Sequence, residues 1–504
     1  MAKLVPPPNG VTVRMYRQGH GDCFLIACPR DGGGDPVYLV IDCGYKPGSP
    51  EVIHNRPLSI DETIDSIVEA TGGALDLVVL THEHQDHLNG IWKKKEPYFK
   101  VFTIAEAWLA WTENPDDDLA NELRERHHDQ LLGLIAARNR LKLAGGASAV
   151  ETVDNLLAFE LGGTQERMNA GEMLAAADPE KSVNKQGIKL VKDKAAENRG
   201  VLYLNPGDGP VMVPGTNIRT FVLGPPRDEE LLKDEDPHGS EGFPGDASGL
   251  TFAAAVGAGA APQSAPFAGR YSESFRSAFS DPTAFYVKRY GNAPAGPNED
   301  NDKIQVPDNA AWRRIDDEWL FSAEELALQL NKGINNTSLV LAFELPKSKK
   351  VLFFAADAQR GNWISWKDLE WQDGTHKVTT RDLLARTVLY KVGHHGSHNA
   401  TLAGKVDDSH PNLSWMATGT AAAAEFTAMI TAVNKWALAV KPKPWRHPLP
   451  SIKAALTKKT QGRVFQTDTD KPPKPTGVPT AAWNKFLDRC VFTDLYFEYP
   501  VLDT

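Results

Sequence analysis

The chain is poor in cysteine: 504 residues hold only Cys23, Cys28, Cys43 and Cys490, with no CxxC spacing among them. That scarcity excludes a disulfide framework and a thiolate zinc site, and leaves four reduced, buried small hydrophobes. No apolar run reaches the about eighteen residues that a membrane span needs. The opening Met1-Ala2-Lys3-Leu4-Val5-Pro6-Pro7-Pro8 also lacks the hydrophobic centre of a signal peptide. A cytoplasmic protein without membrane contact is expected. Positive charge is short as well, with 55 Lys and Arg against 65 Asp and Glu and a formal net charge of −10. This argues against a surface that is one nucleic-acid sleeve and leaves room for a local basic groove. No internal repeat of fixed period is visible. The composition, 41% hydrophobic and 24% charged, is that of an ordinary soluble globular protein with ample core. The length suits two or three average domains, or one α/β core with long insertions.

Against this plain background one stretch stands out, Thr81-His82-Glu83-His84-Gln85-Asp86-His87, at the end of the apolar run Leu75 to Leu80. In a segment leaving a strand, residues two apart point the same way, so His82 and His84 can converge on one cation. Asp86 and His87 fall in the following turn and can face a second. Imidazole with carboxylate suits zinc, and also manganese or iron. Any one of these histidines would pass for a solvated loop residue; the joint HxHxDH pattern after a buried strand points to half of a two-metal site.

The rest of the chain divides by composition. Residues 1–114 open with short β-type runs, Val11 to Tyr16, Cys23 to Cys28 and Val37 to Ile41, broken by Gly and Pro clusters and by the turn Gly19-His20-Gly21-Asp22. The third run stops at Asp42-Cys43-Gly44, which puts Asp42 where loops gather, either as a support for a metal-binding histidine or as an exposed turn residue. Helical spacing of Ile60, Ile64, Ile67 and Val68 predicts a helix ending at Gly72-Gly73. Residues 115–199 read as a helical insertion carrying His127 and His128 on its surface, 200–226 as returning strands, and 227–330 as a long irregular insertion. Residues 331–504 resume the strand pattern and extend to the C-terminus.

In that last part, successive segments end in residues able to bind metal. Val351 to Phe354 delivers Asp357, a carboxylate placed to bridge two cations, although a lone Asp there also suits a helix cap. Val388 to Val392 delivers Gly393-His394-His395-Gly396-Ser397-His398. Its glycines let the backbone approach a ligand, and one of the two adjacent histidines, by preference His395, faces a metal while the other serves as general acid. Ser397 and His398 are candidate substrate contacts. His447, between Arg446 and Pro448, would alone read as an exposed loop residue; the wider pattern recruits it. Paired cations lower the pKa of a bound water and polarise the bond under attack, so the expected chemistry is hydrolysis.

These pieces, in this order, resemble the metallo-β-lactamase superfamily, and within it the hydrolase domain of the competence protein ComEC and the phosphorylcholine esterases. The resemblance rests on Gly19-His20-Gly21-Asp22, Ile41-Asp42-Cys43-Gly44, His82-x-His84-x-Asp86-His87, Asn336-Thr337-Ser338-Leu339-Val340-Leu341, Asp357, His394-His395-Gly396-Ser397 and His447-Pro448. It implies an α/β fold, an αββα sandwich with two large insertions. It also implies a dinuclear site with His82 and His84 on one metal, Asp86 and His87 on the other, Asp357 between them, His447 at the second, and Asp42 as support. The chain departs from the lactamase pattern in lacking a middle histidine in a Gly-His-Thr-like setting; only His127, His128 and His238 lie between the first motif and Asp357. The first metal must then draw its third histidine from His394 or His395. Ala356 also stands where the ComEC-like branch has Gly.

The resemblance and the His-His-Gly-Ser signature favour a phosphodiester substrate, with nucleic acid ahead of phosphocholine because no choline-binding repeats are present. Lys441, Lys443, Arg446, Lys453, Lys458, Lys459 and Arg463 gather near His447 in the sequence, either to hold phosphates or as a solvated surface. The expected activity is a phosphodiesterase or nuclease working with two divalent ions, Zn²⁺ first and Mn²⁺ or Fe²⁺ as options. The alternatives are hydrolysis of a small ester, thioester or lactam, and a metal-stabilised module activated by a protein partner docked on 115–199 and 227–330.

Overall fold

The early strands carry apolar side chains at both parities, a pattern that needs a sheet covered on both faces. The computed structural model describes residues 3–53, 58–93, 96–143, 150, 153, 154, 157, 182–243, 333–440 and 444–504. Its first sheet is built from β1 (Gly10–Tyr16), β2 (Cys23–Cys28), β3 (Val37–Cys43), β4 (Leu77–Leu80), β5 (Glu106–Ala110) and β6 (Gly200–Leu204). The second comprises β7 (Val211–Met212), β8 (Arg219–Gly224), β9 (Val340–Glu344), β10 (Val351–Phe354), β11 (Thr387–Lys391), β12 (Thr427–Ile430) and β13 (Val464–Gln466). The chain then returns to the first sheet with β14 (Val491–Phe492) and β15 (Tyr496–Leu502), β15 pairing antiparallel with β1 over its whole length.

Strand order in the first sheet is β6-β5-β4-β3-β2-β1-β15-β14, and in the second it runs from β7 to β13 in sequence. Each half of the chain repeats one plan. Strands β1 to β3 form an antiparallel meander followed by the parallel strands β4, β5 and β6; β8 to β10 form the second meander, followed by the parallel strands β11, β12 and β13.

Alternation decides the layers. Val11, Val13, Phe24, Ile26, Leu39 and Val79 face the second sheet, where the Phe24 ring meets Phe354 edge-on at 5.3 Å. Their neighbours Leu25, Tyr38, Val40, Val78 and Leu80 face the other way, into a separate cluster. That cluster is roofed by α1 (Ile60–Thr71) through Ile60, Ile64 and Ile67, as the sequence spacing predicts, with Ser59 and Glu62 forming a capping box and Gly72 closing the helix at φ 69°. After the short α2 (Gln85–Leu88) and the long α3 (Asp118–Leu143) comes α4 (Val183–Ala196), which adds Ile188, Val191 and Ala195 to the same roof. This helix lies inside the stretch expected to be an insertion, yet it packs on the core.

On the far side of the second sheet, the Phe353 ring meets Trp366 edge-on at 5.4 Å, opposite in direction to Phe354. Following α5 (Glu229–Lys233), the helices α6 (Arg360–Ser365), α7 (Thr380–Ala385), α8 (Asn434–Ala439) and α9 (Pro450–Lys459) lie along this half, with Trp363, Leu383, Leu384, Ile452 and Leu456 in the core. The last helix, α10 (Thr480–Leu487), buries Trp483 and Phe486. The fold is thus α/β, layered helix, sheet, sheet, helix. Each fully buried large apolar side chain contributes about 1.5–3 kcal/mol to holding the layers together.

Among the described residues no helix is long and apolar enough to cross a membrane. Of the expected irregular insertion, only the strap up to residue 243 is described. It is tied down by Arg360, which pairs with both Asp234 and Glu241.

Candidate metal centre

Strands β3 and β4 are parallel, as are β10 and β11, so their C-terminal ends open onto one edge of the layers. The loops leaving these ends carry His82 to His87, Asp357 and the His394-His395 pair, with Asp42 at the end of β3. Backbone hydrogen bonds lock the loops together: Leu339 N donates to Thr81 O at 2.9 Å, and Asp22 N donates to Asp86 O at 3.0 Å. Contact is close enough that a Cβ on Gly44 would lie 2.3 Å from Asp86 C and 2.4 Å from His87 N. Only glycine lets that loop settle. At the other strand end, His394 and His395 both adopt left-handed backbone, φ 39° and 51°, before Gly396 at φ 77°. Such a run costs about 1–2 kcal/mol per non-glycine residue and turns the His395 side chain inward.

Three groups of ligand-type atoms result, each within 4.8 Å mutually: Asp86, His87, Asp357 and His395 form one, His82, His84 and Asp357 a second that shares Asp357 with it, and Asp22, Asp42 and His87 a third. His395 Nε2 is 3.0 Å from Asp86 Oδ2 and 3.4 Å from Asp357 Oδ2, and His87 Nε2 is 3.3 Å from the same Asp357 oxygen. His82 Nε2 lies 3.1 Å from His84 Nδ1 and 4.0 Å from Asp357 Oδ2. Ligands held at about 2.0–2.1 Å around a tetrahedral zinc stand about 3.3 Å from one another. Four of the five spacings lie near that figure, and the His82–Asp357 separation of 4.0 Å is longer.

Two further observations fit a cation. Asp86 Oδ1 and His87 Nε2 are buried without a hydrogen bond, so His87 and Asp357 converge on shared space and do not simply bond each other. The charge balance is also unequal: buried Asp22, Asp42, Asp86 and Asp357 face the buried ammonium groups of Lys391 and Lys46. Burial alone would push the His395 imidazole down, but Asp357 and then Asp86 outweigh it and raise it to about 9. His87 is likewise driven up against burial by Asp357, Asp22 and Asp42. The site demands positive charge, and divalent ions on these imidazoles and carboxylates would supply it. His82, His87, Asp357 and their partners therefore suit Zn²⁺ by donor chemistry, with Mn²⁺ also compatible.

Asp42 stands behind His87. Its Oδ2 accepts from His87 Nδ1 at 2.7 Å and from the Thr81 hydroxyl at 2.6 Å, while Oδ1 accepts from Thr81 N at 2.9 Å. This fixes the His87 tautomer with Nε2 toward the group, the arrangement by which an outer carboxylate orients a ligand.

Several sequence-predicted residues fall elsewhere. His395 joins Asp86 and His87, not His82 and His84, because its Nδ1 is anchored 3.1 Å from Thr431 O, aiming Nε2 at Asp86. His394 joins neither group. Its Nδ1 lies 2.8 Å from Ser397 Oγ and its Nε2 3.3 Å from Asn335 Nδ2, and burial lowers it to about 4. Ser397 thus anchors His394, with its hydroxyl donating to Asn399 Oδ1 at 2.6 Å. His398 turns to the strap, its Nε2 2.8 Å from Asp236 Oδ1. His447 is not gathered with the ligands either: its Nδ1 is 3.3 Å from His20 Nε2, and its ring is 6.2 Å from that of His395. His127 and His128 are half-buried on α3, and His238 is exposed beside Asp234.

Sequence reasoning passed over three contributors. Lys391 is 1% exposed, pairs with Asp22, donates to Ala356 O at 2.8 Å and lies 3.5 Å from Asp357 Oδ1. It leaves Asp357 Oδ2 to face the histidines. A lysine inside the apolar run Val388 to Val392 was its signal. Asp22 and His20 lay in a turn motif that was noted without a role; His20 stacks on His447 at 5.4 Å and meets the tilted rings of His395 at 4.5 Å and Trp436 at 5.1 Å.

No protein-family model, curated protein or solved structure matches the chain.

Proposed function

We propose that this chain is a metal-dependent phosphodiester hydrolase acting on nucleic acid in the cytoplasm, of the metallo-β-lactamase type that its motifs resemble. The observation that carries the reading is Asp357, a carboxylate shared by two adjacent groups of buried imidazoles and carboxylates. A pair of divalent ions there would activate water and neutralise charge on a phosphoryl oxygen. The chain's own residues do the rest. Asp42 holds the His87 tautomer, Lys391 restrains Asp357 through Oδ1, and Thr431 orients His395. His394, braced by Ser397 and Asn335 beside the two groups, is assigned to the substrate's leaving oxygen.

The test is hydrolysis by the purified full chain supplied with Zn²⁺ or Mn²⁺, assayed on DNA, RNA and bis(p-nitrophenyl) phosphate beside chromogenic ester, thioester and lactam substrates. Phosphodiester cleavage that disappears in Asp357→Ala supports the reading. Turnover confined to the ester, thioester or lactam panel, or cleavage unaffected by Asp357→Ala, overturns it.

A further inference from the structure

A trough of 1220 Å³ lies beside the metal centre, between α9 and the segment leading into and through α10. Its near end is formed by Asn434 and Pro448, and Pro448 packs against Gly396, the residue after His395. Asn434 Nδ2 donates to His447 O at 3.1 Å, and Leu449 N donates to Gly396 O at 2.7 Å. From there the lining runs past Lys453, Lys458, Arg463, Lys485 and Arg489.

The charge of this lining is one-sided. None of those five cations has a carboxylate within 4.0 Å among the described residues. Arg463 and Arg489 instead donate to backbone carbonyls of Phe426, Ala423 and Pro500. The lining's carboxylate, Glu425, is taken by Lys350 from outside at 3.0 Å. In a chain of net charge −10, an unbalanced cationic trough needs an anionic occupant. Lys453 and Lys458 come from one helix and Lys485 from another, so their charges lie along the trough's walls, as a chain of phosphates requires. Lys485 and Arg489 are far in sequence from the basic residues around His447.

We propose that this trough binds the backbone of single-stranded nucleic acid and leads the strand to the metal centre. The proposal rests on the phosphodiesterase reading above and extends it from a reaction to a substrate path. A positively charged groove that tracks the backbone is how single-stranded nucleic acid is held without sequence preference.

The experiment is fluorescence anisotropy of a labelled, cleavage-resistant phosphorothioate oligothymidylate on the full chain, across about 50–200 mM salt. With three lysines engaged, the slope of log affinity against log salt is expected near about −2, since each single-strand phosphate contact contributes about −0.7. The K453Q/K458Q/K485Q variant should lose about tenfold or more in affinity and most of that slope; K453R/K458R/K485R should retain both. Thermal melting of each variant checks folding. Absence of oligonucleotide binding by wild type, or equal binding by the Gln variant, or equal loss in the Arg variant, overturns the proposal. Bis(p-nitrophenyl) phosphate turnover by wild type reads the metal centre alone. Turnover without oligonucleotide binding therefore refutes the trough and spares the phosphodiesterase reading, while the reverse result refutes that reading.

Discussion

Replacing Asp42 by Asn changes one atom and should weaken one metal position more than the other. In the wild type, Asp42 Oδ1 accepts from Thr81 N at 2.9 Å and Oδ2 accepts from His87 Nδ1 at 2.7 Å. An asparagine must keep its carbonyl oxygen toward Thr81 N, because the amide group there would set donor against donor. Its NH₂ then faces His87 Nδ1. To accept that hydrogen bond, His87 must move its proton to Nε2, the atom 3.3 Å from Asp357 Oδ2 that belongs to the ligand group. A protonated nitrogen cannot bind a cation. Loss of an orienting carboxylate of this kind lowers metal affinity about 10- to 100-fold, or about 1.4–2.7 kcal/mol. The metal-free protein should also lose about 1.5–3 kcal/mol, the contribution of a hydrogen bond to a charged group. Asp42 reaches His82 through the Thr81 hydroxyl, 2.6 Å from Asp42 Oδ2 and 3.1 Å from His82 Nδ1, so the other position should lose less affinity than the His87 position. Competition against a chromogenic chelator, read as two stepwise Zn²⁺ constants, measures both. Two unchanged constants, or two equally weakened ones, would refute the assignment of Asp42 to His87.

Three other perturbations test different joints. Gly44→Ala places a methyl 2.3 Å from Asp86 C; thermal melting should show a loss of about 1–3 kcal/mol, and elemental analysis a reduced metal content. Lys391→Met removes the ammonium paired with Asp22, which is at 3% side-chain exposure, and leaves it only the more distant His87 and His395 rings at 3.8 Å; urea denaturation should report about 3–5 kcal/mol of destabilisation, and a loss below 1 kcal/mol would show the pair to be solvated. Burial would raise the Glu241 carboxyl, but Arg360 outweighs it and holds Glu241 below its usual range. Since the folded value is depressed, this pair steadies the strap above the unfolded Glu pKa of about 4.3 and stops doing so as pH falls through the folded value. Limited proteolysis between residues 228 and 243 should therefore accelerate on acidification, and Arg360→Gln should already be fast at neutral pH.

How much of this was legible in the sequence follows from how local each signal is. His82, His84, Asp86 and His87 sit within six residues after a buried strand, so their convergence follows from strand geometry alone. Asp357 and His395 were readable as strand-end residues, but which metal group His395 joins depends on Thr431, just past the end of β12 in the second sheet. Lys391 and Asp22 meet only because two sheets meet; nothing in either local sequence announces the partner. His447 was recruited on its place in a motif, yet its ring is taken up by His20, 427 positions away in the chain. α4 was read with an insertion because an amphipathic stripe reveals that a helix packs, not what it packs on.

The two halves of the fold also explain why the centre lies where it does. Both meanders end near a left-handed residue, Asp42 at φ 54° at the end of β3 and Ala356 at φ 47° just after β10. In both, the next parallel strand, β4 or β11, ends in a histidine-bearing turn. The repeat is one of strand order and backbone form with no matching residues, which is why no period is visible in the sequence. Strain at such positions persists only where surrounding structure overdetermines it, and here each half supplies part of that structure to the other, through Leu339 N to Thr81 O and Lys391 to Asp22. Neither half holds a complete ligand set: the first lacks Asp357 and His395, and the second lacks the HxHxDH turn. The centre is therefore a property of the seam. A chain divided between β6 and β7 should bind metal tightly only when both pieces reassemble, because the shared Asp357 and the six-residue turn that faces it arrive from opposite sides.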